Sequence, residues 1–155
     1  MGTLSERGSS AGEGATVNVP LLAGAGDDDY RLAFARVVEP VVRRFEPQFL
    51  LLSSGQDAAA SDPLGRMSVT TEGFRSLTAS ARDLAGEVCG GRLVAFQEGG
   101  YSVDHMPFCT LATVEALADL PASWDRDPME LDVPLVVGDP ARDVIDAAAR
   151  AAGVG

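Results

Sequence analysis

The sequence predicts an α/β fold with a mostly parallel sheet flanked by helices. Two short apolar runs, Phe49–Leu52 and Leu93–Phe96, have the length of strands. Helix-length stretches with apolar residues every three to four positions separate and flank them. Each run ends in a loop of small residues, at 53–55 and at 99–100. Continuous apolar runs are expected of strands buried on both faces, as in parallel sheets, and connecting helices imply right-handed crossovers.

Residues 1–15 (MGTLSERGSSAGEGA) are rich in Gly, Ser and Glu and read as a flexible N-terminal arm. Thr16 to Leu21 alternates as a short strand would, with Pro20 confining it to an edge. In AGAGDDD, Gly24 and Gly26 precede three aspartates; a lone GxG facing carboxylates reads as a turn with an acidic helix start, not as a phosphate cradle. A helix is expected from Asp28 to Phe45, with Tyr30, Phe34, Val37, Val38, Val41, Val42 and Phe45 as its stripe. Pro40 should kink or divide it. The strand at 49–53 follows, bounded by Pro47 and Gly55.

A second helix is expected over Thr71–Cys89, buried along Phe74, Leu77, Ala81, Leu84, Ala85 and Val88, capped near Thr70 and stopped by Gly90-Gly91. Arg92–Gln97 is the next strand. A third helix begins after Met106, with Pro107 in its first turn and Phe108, Leu111, Val114 and Leu117 turned inward. Residues 16–120 thus form the folded domain; 121–155 is a tail whose proline-rich start leads to a short helix at about 141–152.

Composition narrows the function. The chain has 155 residues and 46% hydrophobic composition, enough for one core. A net charge of −11 argues against a phosphate-binding surface, and no nucleic-acid partner is expected. No apolar run reaches the length of a membrane span, and a cytoplasmic protein is expected. The two cysteines are isolated and match no zinc or redox spacing, which leaves buried reduced thiols. There is a single histidine, His105, expected in an exposed loop, so chemistry needing two histidines cannot be completed within the chain.

In parallel sheets the chemistry lies beyond the carboxyl ends of the strands. Asp57 follows the first apolar run, and Gly99, Gly100 and Tyr101 follow the second. A carboxylate at Asp57 could bind a cation, orient a base or cap a helix; a phenol at Tyr101 could donate to a developing oxyanion, or simply form a wall.

The segments SSGQDAAASDPLGRMSVT and CGGRLVAFQEGGYSVDHMPFCTLATVEAL resemble the C-terminal half of class II histone deacetylase-like amidohydrolases, and ATVNVPLLAGAGDDDY resembles the stretch leading into that half. The resemblance covers about residues 8–120. It implies a partial three-layer arginase/deacetylase-like fold, shared with acetylpolyamine amidohydrolases and acetoin-utilisation proteins, and a zinc-dependent hydrolysis of acetylated amines such as acetyl-lysine or acetylpolyamine. It assigns Asp57 as one of the zinc ligands, Tyr101 as the donor to the substrate carbonyl, and Leu64, Gly99 and Gly100 as substrate channel. Gln56 stands where the family has an aromatic or other apolar residue. The family's histidine pair and Asp-x-His ligands have no counterpart here. The chain alone is therefore expected to bind Zn²⁺ weakly and to be inactive. The expected explanations are a truncated deacetylase, a degenerate remnant, or half of a split enzyme, with partners in a missing N-terminal half or a second copy. A non-catalytic module that binds another chain through an exposed sheet edge is the alternative.

Overall fold

The computed structural model describes residues 2–129 and 138–155. The order of elements is α1 (Asp27–Ala33), a π turn (Phe34–Val38), α2 (Glu39–Phe45), β1 (Leu50–Gly55), a 3₁₀ turn (Gln56–Ala58), α3 (Thr71–Cys89), β2 (Leu93–Glu98), α4 (Met106–Leu117) and α5 (Asp139–Ala152). β1 and β2 pair in parallel from Leu50↔Leu93 to Gly55↔Glu98, with α3 as the crossover. Their carboxyl ends therefore lie side by side, and so do the loops that follow.

The helices form for the reasons the sequence carries. Pro40 has no N–H, and its ring crowds the carbonyl one turn earlier. The backbone widens into the π turn just ahead of it, so the expected long helix is divided there but not broken. Thr70 caps α3 by accepting the Gly73 N–H through its hydroxyl at 3.1 Å, and Gly90 ends the helix in the left-handed region (φ +63°). The aspartates after Gly26 start α1, and Asp29 accepts the Gly26 N–H at 3.0 Å. The glycine pair is a turn and helix start.

Four expectations are corrected. Thr16–Leu21 is extended but pairs with no strand; Asn18 instead donates to the carbonyls of Thr3 and Glu6 at 2.9 and 3.0 Å, which holds the N-terminal residues against the domain. An alternating pattern makes a strand only where a neighbour offers its ladder, and none does here among the described residues. Second, the strands are not buried on both faces. Leu51, Val94 and Phe96 are 70%, 40% and 52% exposed, while Leu50, Leu52, Leu93 and Ala95 opposite them are partly covered. Third, α4 turns its small residues inward. Cys109, Ala112, Thr113 and Ala116 are buried, whereas Leu111 and Val114 of the expected stripe are exposed. Small side chains let α4 lie close against α3, its main neighbour. Fourth, Phe45, placed on the inward stripe of the first helix, is exposed.

The larger core cluster joins Leu21, Ala25, Ala33 and Val37 to Ile145, Ala148, Ala149 and Ala152 of α5. The C-terminal helix is thus part of the domain's core. Residues 130–137, within the expected proline-rich loop, lie outside the described residues.

Candidate functional site

The site is built where β1 and β2 end. From Gly55 the chain enters the 3₁₀ turn that carries Asp57. The side chain of Asp57 is exposed and takes no hydrogen bond among the described residues. Glycines make its position possible. A Cβ at Gly99 would stand 2.8 Å from Asp57 Oδ1, and one at Gly65 would stand 1.8 Å from the Asp57 carbonyl oxygen. Gly99 and Gly100 are left-handed, at φ +59° and +89°, so the loop after β2 can fold back over the Asp57 turn.

Beneath it, Gln56 is fully buried and accepts the Thr110 hydroxyl at 2.7 Å, leaving its Nε2 without a partner among the described residues. A Cβ at Gly100 would lie 3.0 Å from Gln56 Cβ. This position is thus filled by a polar side chain tied to α4. Tyr30 approaches from α1. Burial, aided by the Asp57 charge, pushes its phenol up to about 12.

A carboxylate that the sequence reading did not single out ties the two loops together. Asp62 accepts the N–H groups of Leu64 and Gly65, each at 2.9 Å, and that of Tyr101 at 2.6 Å. These bonds hold its carboxyl below the usual range although burial opposes them. The Asp-Pro of DPLG is a turn signal that could have marked it. Of the five residues assigned in the sequence, Asp57 and Gly99 are in contact, while Leu64 and Tyr101 share one carboxylate through their backbones. The Leu64 and Tyr101 side chains are 70% and 54% exposed, so they stand on an open surface and not around a closed channel.

His105 overturns an expectation. It is completely buried, not exposed in a loop. Its Nδ1 lies 3.0 Å from Ser61 Oγ and its Nε2 lies 3.1 Å from Thr71 Oγ1, so both ring nitrogens are engaged by hydroxyls. Burial lowers its pKa from 6.5, against the opposing charge of Asp127. Cys89 and Cys109 are free buried thiols, and burial pushes Cys109 up to about 12. Among the described residues no three His, Cys, Asp or Glu side chains converge on a metal position. Beside the site, a cavity of about 300 Å³ lies between α1, the outer edge of β1 and α3, lined by Tyr30, Phe34, Leu52, Ala58, Phe74 and Leu77 among others.

Residues 1–117 match the histone deacetylase domain. The chain belongs to the histone deacetylase family. Among the relatives of this deacetylase-family chain is a histone deacetylase-like amidohydrolase of Pseudomonas aeruginosa, 48% identical over 122 residues, which cover 79% of this chain and 32% of that protein. A probable deacetylase of Archaeoglobus fulgidus is 41% identical over 124 residues, covering 79% and 34%. The crystal structure of the HDA15 HD domain superposes with a TM-score of 0.81 at 31% identity, over 98% of this chain and 38% of that one. The histone deacetylase Clr3 gives 0.78 at 31% identity. The deacetylase fold is therefore the fold of this chain, which spans about a third of the length of the curated relatives it matches.

Proposed function

We propose that the chain supplies the C-terminal share of a zinc-dependent deacetylase that hydrolyses acetylated amines of the acetyl-lysine or acetylpolyamine type. The observation that carries this reading is the Asp57 carboxylate at the end of β1, unpartnered among the described residues and pressed against Gly99, with the Tyr101 loop beside it. Asp57 offers one anionic ligand. The Tyr101 hydroxyl can donate to a carbonyl oxygen gaining charge, and the glycines let substrate approach the backbone.

These residues alone do not fit a zinc centre. Catalytic zinc takes about three protein ligands and a water, and here Asp57 is a single ligand, with His105 committed elsewhere and both thiols buried. The remaining ligands and the base belong to another segment or chain, so the isolated chain is inactive. The test compares zinc content and turnover of a fluorogenic acetyl-lysine substrate for this chain alone and mixed with the N-terminal two-thirds of the Pseudomonas aeruginosa relative. Alone, neither stoichiometric zinc nor turnover is expected; the mixture should gain both. Asp57→Ala should abolish metal retention, while Tyr101→Phe should keep it and slow turnover by about 10²-fold or more. Zinc-dependent turnover by the chain alone would overturn its incompleteness. A mixture that assembles yet stays inactive would overturn the deacetylase reading.

A second reading has its own support: β1 pairs on one side only among the described residues, and the apolar face of the sheet is bare. A non-catalytic module would use that edge to add a strand from a partner or a second copy. It is favoured if a bound partner leaves Asp57→Ala and Tyr101→Phe without effect.

A further inference from the structure

Behind the two loops runs a chain of hydrogen bonds whose direction can be worked out donor by donor. The Asp127 carboxylate accepts the Thr71 N–H at 3.0 Å and the Thr71 hydroxyl at 3.1 Å. A hydroxyl has one hydrogen. With that hydrogen given to Asp127, Thr71 Oγ1 can only accept from His105 Nε2, 3.1 Å away. Nε2 therefore carries the proton, and in a neutral ring Nδ1 is an acceptor. It takes the hydrogen of Ser61 Oγ at 3.0 Å; Ser61 then accepts from Ser102 Oγ at 3.1 Å, and Ser102 Oγ accepts the His105 backbone N–H at 3.3 Å. Every hydrogen in the series has one place. Ser61 lies in the loop bearing Leu64, Ser102 in the loop bearing Tyr101, Thr71 at the start of α3, and Asp127 in the segment after α4.

We propose that His105 is a positioning residue: as a neutral Nε2–H imidazole it joins the loop of Leu64 to the loop of Tyr101, and Asp127 selects that form through Thr71. Protonating Nδ1 turns an acceptor into a donor. Ser61 must then reverse toward Ser102, which is left with two donors pointing at it and no partner for its own hydrogen. The join between the loops then persists only with its bonds reversed and with the Ser102 hydroxyl hydrogen unpaired, and is weaker in that form. The charged group that acts on His105 is Asp127, from the segment after α4; Asp27 of α1, Glu72 of α3 and Cys109 of α4 lie around that carboxylate, and Asp62 of the first loop accepts backbone N–H groups from the Tyr101 loop. Complete burial of the ring prevails over the Asp127 charge, which favours the imidazolium, and keeps the ring neutral.

The role rests on the reading of the Tyr101 loop as the reacting surface, but its test needs neither zinc nor turnover. With one histidine in the chain, ¹⁵N spectra of the imidazole are unambiguous. At pH 7 the Nε2–H tautomer is expected. On acidification His105 should take up its proton only below its ordinary 6.5, and the Leu64, Gly65 and Tyr101 amide signals should move with the same midpoint. Asp127→Ala should admit the Nδ1–H tautomer. Ser61→Ala, which leaves the ring and Asp127 in place, should speed hydrogen exchange at Tyr101 and Leu64 by about tenfold while α5 amides keep their rates. An Nδ1–H ring in the wild type, a tautomer unmoved in Asp127→Ala, or site-loop amides indifferent to His105 and Ser61 would each overturn the proposal. Failure of the reconstituted enzyme would leave these spectra unchanged.

Discussion

Gly65 and Gly99 hold the Asp57 turn from two sides, and they do so differently. At Gly99 the obstacle to a side chain is the end of an exposed carboxylate, together with a left-handed backbone. At Gly65 it is the Asp57 carbonyl, which is backbone and cannot swing aside. Gly99→Ala should cost roughly 1–2 kcal/mol, the penalty of the left-handed region, and should displace the Asp57 carboxylate. Gly65→Ala should cost more, about 2–3 kcal/mol as an overpacked site does, although its φ is ordinary. Urea unfolding of the two variants gives the order; equal or reversed costs would contradict the geometry. His105 adds a pH dependence. Its pKa is lower folded than unfolded, so the unfolded chain takes up the proton first as pH falls. The His105 contribution is intact above about 6.5 and declines as pH drops through that value toward the folded pKa. The loss of Tm between pH 7.5 and 5 should therefore shrink in His105→Gln. Asp57, Tyr101 and the glycines were legible because they sit in contiguous motifs. His105 was not: its neighbours in SVDHMP are mostly polar or turn-forming, and its ring is held by Ser61 and Thr71, which are far away in sequence.

At the level of elements, the periodic helices were the most legible part. α3 begins and ends at the expected residues because its cap and its stop are local signals. α4 was found in place but rotated, since periodicity of large residues ranks hydrophobicity, whereas packing against α3 selects for small size. α5 was read as a tail because alanines make a faint stripe. Yet Ile145 is completely buried, against Val37 and Ala33 among others. Ile145→Ala should destabilise the domain by about 3 kcal/mol, within the range for a core aliphatic truncation. A midpoint unchanged in chemical denaturation would mean that α5 is an appendage. The ion pair Arg36–Asp146 joins the same helices but is exposed on both sides, and its removal should matter little.

At the scale of the molecule, the largest departure from a self-sufficient domain is the bare side of the sheet. Leu51, Val94 and Phe96 form one apolar face, and the outer edge of β1 runs beside the cavity lined by Tyr30, Phe34 and Phe74. Unpaired edges and apolar patches of this kind promote association. A charge of −11 opposes it, so self-association should grow with salt. Light scattering over a concentration series should show this, and Leu51→Glu with Phe96→Glu should suppress it while leaving the far-ultraviolet spectrum unchanged. A wild type that stays monomeric at high salt would argue that the face is covered by residues of its own chain. That face could not be foreseen from the strands themselves: a run such as FLLL reads as covered on both sides whether or not the covering layer is present in the same polypeptide.

The pairing of α5 with the first helix also has a temporal side. β1, α3 and β2 form a unit of neighbouring segments, complete once residue 98 has emerged. The first helix must wait much longer. Arg44 donates to the carbonyls of Ala152 and Gly153 at 2.8 and 3.0 Å, across separations of 108 and 109 residues, and Val37 finds Ile145 only when α5 has been made. During synthesis, the strand-and-crossover unit is therefore assembled first, while Ala33 and Val37 lack their α5 partners until that helix has been made. In that interval the growing chain exposes its amphipathic first helix beside an open β-edge, which is the condition under which a nascent protein depends on chaperones.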